Sequence, residues 1–162
     1  MPLAISSRAE SLKLFFENPV FLSSVTSFLI AQLLKALITL LGRNKKSTRD
    51  LVLTIVWRTG GMPSSHAALV SSMVTAVALK DGLHSDLFIV SFWFALIVLR
   101  DAMGVRRSSG MQARALNFLG KQSVEKSGVE FHPVKEVLGH APIEVIIGGL
   151  LGIFIAAAFA FL

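Results

Sequence analysis

A chain of 162 residues that is 53% hydrophobic and only 16% charged, with a mean hydropathy of +0.67, has more apolar surface than a soluble domain of that size can bury, so one membrane domain over residues 1–162 is expected. Without cysteine, disulfides, thiolate nucleophiles and cysteine metal sites are excluded. The net charge of +6 does not point to nucleic acid, because Lys and Arg of membrane proteins collect in cytoplasmic loops.

The opening "MPLAISSRAESLKLFFENP" carries Glu10 and Glu17 and has no signal-peptide pattern. Four apolar segments follow, and the expectation is an all-α integral membrane bundle of about four transmembrane helices. The first runs roughly from Phe21 to Leu41 and contains Lys35. The second covers about Ser64 to Leu79, the third about Asp86 to Met103, and the fourth about Pro142 to Leu162. A helix needs about 20 residues to cross a hydrocarbon core of roughly 30 Å, so the second is short.

The connections differ in charge. Arg43, Lys45, Lys46, Arg49 and Arg58 lie between the first and second segments. Arg106, Arg107, Arg114, Lys121, Lys126 and Lys135 lie between the third and fourth. The second-to-third connection offers Lys80, and the N-terminal tail Arg8 and Lys13. The positive-inside rule then puts both basic loops in the cytoplasm and both termini outside. Within the long loop, "MQARALNFLGKQSV" predicts a short amphipathic helix ended by Gly120, at the membrane surface or covering the bundle. Gly148, Gly152 and Ala156 recur every fourth residue, as do Ser64, Ala68 and Ser72. Such small faces let helix backbones approach closely in lipid.

Several polar residues ask for more than packing. Lys35 shares a helical stripe with Gln32 and Thr39; it either faces a polar interior or snorkels to headgroups about 9 Å away. In "GGMPSSHAALV", Pro63 and a serine suffice to start a helix, but they do not account for His66, Gly60 or Gly61. The first turn of a helix presents unpaired N–H groups to an anion, a histidine there can donate a proton, and glycines permit close approach. His140 stands just before the fourth segment in "LGHAPIEV". Glu144, four residues on, either complements the helix dipole or orients the His140 imidazole. Arg106 and Arg107 cap the third segment or bind anion, and Asp101 is placed to pair with a nearby arginine. Under the predicted topology all these residues reach the cytoplasmic end of different segments. Packing of an inert bundle does not require that.

At these residues the sequence resembles the type 2 phosphatidic acid phosphatase and vanadium haloperoxidase superfamily, whose motifs are K-x6-R-P, P-S-G-H and S-R-x5-H-x3-D. "PSSH" at 63–66 is similar to the second motif with Ser65 for glycine, and "HAPIE" at 140–144 to H-x3-D with glutamate for aspartate. "AQLLK", "GGMPSSHAALV", "DAMGVRR", "LN" and "KEVLGHAPIEV" resemble its small divergent bacterial and plant branch, from about Ala31 to Gly152. Lys35 is not followed by R-P at the motif spacing, and Val134 stands where the motif has arginine.

The resemblance implies a membrane phosphatase acting on a lipid phosphomonoester or diphosphate at the cytoplasmic face. His140 would attack phosphorus to give a phosphohistidine, Glu144 would orient it, and His66 would protonate the leaving alcohol. Lys35, Arg106, Arg107, Arg58 and the amides near Ser64 and Ser65 would hold the phosphoryl oxygens. No metal or other cofactor is implied, and vanadate would bind as a phosphate mimic. The partners implied are membrane lipid and a phosphorylated lipid substrate such as phosphatidate, phosphatidylglycerol phosphate or a prenyl phosphate. A homodimer is compatible with so few helices. The readings from other classes are a non-catalytic protein binding phosphorylated lipid or a protein partner through the same pocket, and an oligomeric lipid-phosphate carrier.

Overall fold

A computed structural model describes residues 8–41, 61–128, 130–136 and 139–161, and the regular structure among these is helical, with no strand. Within the described residues six helices follow in order: α1 (Arg8–Phe16), α2 (Pro19–Leu41), α3 (Ser65–Asp81), α4 (Asp86–Met103), α5 (Val105–Ser127) and α6 (Pro142–Ala160).

Their ends follow local chemistry. Asn18 accepts the Val20 N–H at 2.9 Å and Pro19 supplies a first residue that needs no N–H partner, which starts α2. Ser64 and Ser85 cap α3 and α4 by accepting from Ala67 and Phe88 at 3.4 and 3.1 Å. Pro142 opens α6. α3 ends at Gly82, whose φ of +85° favours glycine.

The bundle is inside-out by the standards of a soluble protein. Its buried residues are mostly small or polar, among them Ser23, Ser27, Ala31, Ala67, Ala68 and Ser72. Leu33, Trp93, Ile97, Leu150 and Phe154 point outward. In lipid, apolar side chains have no reason to hide and tight backbone approach holds helices together. α3 is the inner helix, packed most extensively on α6, then on α2 and α4. The two predicted small faces meet. A Cβ on Gly148 would strike the Ser64 carbonyl oxygen, and one on Gly152 the Ala68 carbonyl oxygen. From α2, the Ser27 hydroxyl donates to that same Ala68 carbonyl at 3.1 Å.

Among the described residues three helices have the length and apolarity of a membrane span: Pro19–Leu41, the continuous run Asp86–Ser127 that contains α4, and Pro142–Ala160. The expected second span, α3, is 17 residues long and rich in Ser and Ala. Its neighbours are helices rather than lipid, so its composition answers to packing.

The long connection departs from expectation. Its helix does not stop at Gly120 but continues to Ser127, and Gly128 at φ +66° provides the left-handed cap. Gly120 is there for space, since a Cβ would collide with the Phe131 ring. Arg106 and Arg107 accordingly belong to the first turn of α5 rather than to a loop.

Candidate active site

The α3 and α6 N-termini are spliced together. The Ser64 N–H donates to the Glu144 carbonyl at 3.0 Å, while the Ser64 hydroxyl caps α3. Ser64 is therefore engaged in structure through both groups. The first intrahelical bond of α3 is donated by Ala68 to the Ser64 carbonyl at 3.0 Å, so the amides of Ser65 and His66 precede it, as first-turn donors do. Ser65 is buried and His66 exposed, with its ring edge-on to Phe28 at a centroid distance of 6.4 Å.

Across the splice, His140 is 3% exposed. Its backbone N–H donates to the Ala102 carbonyl at 3.3 Å, tying it to the end of α4. Its Nδ1 lies 2.9 Å from Glu144 Oε2, and the same oxygen accepts the Ala141 N–H at 3.1 Å. One carboxylate oxygen thus serves the start of α6 and meets the imidazole. With Nδ1 donating to a carboxylate, the Nε2 lone pair is left for other chemistry.

A buried cation lies beside this pair. Lys35 is 3% exposed and in electrostatic reach of Glu144. Gly61 lies against its stem: a Cβ on Gly61 would stand 3.8 Å from Lys35 Cγ. Of the two readings of Lys35, the structure has the inward-facing one. Gly61 sits at φ +90°, where other residues are strained. Arg106 is held by Asp101, Nε to Oδ2, at 2.7 Å. His66 in turn lies in electrostatic reach of Arg106, His140, Lys35 and Asp101. Five elements thus bring Lys35, His66, Asp101, Arg106, His140 and Glu144 to one end of the bundle. The Arg107 side chain is exposed. Arg58 and Gly60 lie outside the described residues, and among those described no three His, Asp or Glu side chains gather as a metal cluster.

Gly139 escaped the sequence reading. A Cβ there would overlap the backbone of Arg107, so this glycine is what lets the approach to His140 pass beside the start of α5. Its signal was its place immediately before the histidine in "LGHAP". A separate cleft of about 270 Å³, with Pro19, Leu79, Lys80 and Phe159 in its walls, opens at the opposite end of α3. It holds none of these paired groups, so the chemistry and this cleft are at different ends.

A family model described as "Divergent PAP2 family" matches residues 16–155. The chain is 40% identical to the uncharacterized membrane protein YuiD of Bacillus subtilis (strain 168), over 89% of this chain and 95% of that one. No solved structure matches. Together with the three apolar helices, this likeness makes the chain an integral membrane protein.

Proposed function

The chain belongs to the divergent PAP2 family, and from that premise we propose that it is a phosphatase hydrolysing a lipid phosphomonoester or diphosphate at the cytoplasmic membrane face. The observation that carries this reading is the His140–Glu144 pair, 2.9 Å apart, on the same end of the bundle as His66, Lys35 and Arg106.

In this mechanism Nε2 of neutral His140 attacks phosphorus. An N–P bond forms as the bond to the lipid oxygen breaks, and His66 gives that oxygen its proton. Glu144 stabilises the positive charge gained by the His140 ring. Water then attacks the phosphohistidine, His66 takes a proton from it, and inorganic phosphate leaves with His140 restored. Lys35, Arg106, Arg107 and the amides of Ser65 and His66 stabilise the phosphoryl oxygens, where charge concentrates in the transition state. α3 counts as a fourth, short span. With the basic connections inside, both termini lie outside and the substrate's tail stays in the bilayer.

The test is phosphate release by purified protein from a panel of phospholipid and prenyl phosphates. Equal rates for wild type and His140→Ala would remove the catalytic reading. A second reading, a non-catalytic binder of phosphorylated lipid, is favoured by one feature. Val134, where the superfamily motif has arginine, is 47% exposed and bonded through its backbone to Asn117 of α5. Retained vanadate binding without phosphate release would select it.

A further inference from the structure

α5 is a 23-residue helix that touches no described helix except α4. It carries its own cover on one side only. The Asn117 carboxamide donates to the Val134 carbonyl at 2.9 Å and accepts the Val134 N–H at 2.8 Å. It also donates to Glu136 Oε1 at 2.9 Å. Arg114 Nε reaches Glu136 Oε2 at 3.2 Å, and the Phe131 ring fills the space over Gly120. Residues 131–136 therefore run as a strap along the face of Ala113, Asn117 and Gly120.

The opposite face is left bare, and it is apolar from Met111 to Leu119, beyond which Gln122 and Lys126 take it over. Met111, Ala115, Phe118 and Leu119 follow one another at helical spacing, with Phe118 62% and Leu119 59% exposed. Flanking them, α5 carries Arg106, Arg107, Arg114, Lys121 and Lys126 against the single acid Glu125. Asp101 engages Arg106 and Glu136 engages Arg114, which leaves Arg107, Lys121 and Lys126 as exposed cations of the helix.

The geometry points to α5 as a helix that lies on an anionic bilayer surface, its Met111–Leu119 stripe sunk among the acyl chains and its exposed cations on phospholipid headgroups. Three observations choose this occupant over a second copy of the chain. α5 follows a membrane-spanning helix without a linker, so it starts at the bilayer edge. Its face combines an apolar stripe with a cationic margin, the pattern of interfacial helices. Two copies packed through that face would bring like charges together, whereas anionic headgroups complement them. The inference needs only a membrane chain and holds whether or not the site hydrolyses anything.

Absence of native cysteine makes the test direct. Full-length Phe118→Cys and His132→Cys proteins are labelled with a solvent-sensitive fluorophore and placed one chain per nanodisc. In discs containing phosphatidylglycerol, the label at 118 is expected to shift to the blue. Acrylamide should quench it several-fold less than the label at 132, which lies on the strap. Neutral phosphatidylcholine discs, high salt, or the pair Lys121→Gln/Lys126→Gln should reduce that shielding, with the circular dichroism of the helices unchanged. Equal quenching at 118 and 132 in anionic discs overturns the docking. Shielding that is indifferent to lipid charge overturns the anionic partner. Shielding that rises with protein concentration in detergent and vanishes in single-chain discs assigns the face to a second copy instead.

Discussion

His140 and Glu144 stand one helical turn apart, and Nδ1 and Oε2 meet at 2.9 Å while the backbone of the same two residues is bonded away, to Ala102 and Ser64. The pair is therefore held from both sides: α4 fixes the histidine and α3 fixes the glutamate. Neither backbone can turn without disturbing a helix end, so the pair is preorganised.

Glu144→Gln is expected to lower phosphate release by about 10²–10⁴-fold, because an amide can present its NH2 to Nδ1 and force the tautomer that puts the proton on Nε2. Fold and substrate binding should persist. Activity within a few-fold of wild type would show that the carboxylate serves only the start of α6.

His66→Ala separates proton donation from binding. In a single turnover, release of the alcohol from an alkyl phosphate should fall by about 10²–10⁴-fold, and release of an acidic phenol from an aryl phosphate much less, because the later hydrolysis of the phosphohistidine is common to both. A uniform loss on both substrates would rule out the acid.

Lys35→Met should leave thermal stability in detergent unchanged or higher, since a cation 3% exposed carries a desolvation cost that an apolar side chain of similar length avoids. Vanadate binding should weaken about tenfold or more, equal to about 1.4 kcal/mol. Vanadate affinity equal to wild type would place Lys35 outside the anion site.

Gly152→Ala should destabilise the bundle by about 1–3 kcal/mol, although alanine is the better helix former. The new methyl meets the Ala68 carbonyl oxygen and backbone of α3, which cannot move aside as a side chain would. Thermal unfolding in detergent measures this, and a midpoint at or above wild type would contradict the close α3–α6 approach.

Ser85→Cys and Ser109→Cys bear on topology. Ser85 caps α4 and Ser109 lies in α5, beyond the opposite ends of α4. A membrane-impermeant thiol reagent added outside intact cells should label position 85 and not 109. Labelling of 109 from outside would invert the orientation and put the site on the outer face.

The primary structure alone determined the apolar helices and, within two residues, where each of them starts, whereas α1 and the first six residues of α5 were not legible in it. Asp86–Met103 matched its expected range residue for residue because Ser85 caps one end and Gly104 follows the other, and caps act within a few residues. The small faces at Gly148, Gly152, Ser64 and Ala68 were legible for a similar reason, since helical spacing alone sets which residues share a side. What spacing cannot say is which side faces inward, and there the tertiary structure decided. It turned Lys35 toward Glu144 instead of the headgroups. It gave Gly120 to Phe131 rather than to a helix stop, and required glycine at 139 by laying the chain against Arg107. Asn117 and Val134 are 17 residues apart and meet only because α5 and its strap run side by side. Local signals are short-ranged because they act through neighbouring backbone groups. A site made from five helix ends depends on contacts between segments, and those exist only once the helices have packed.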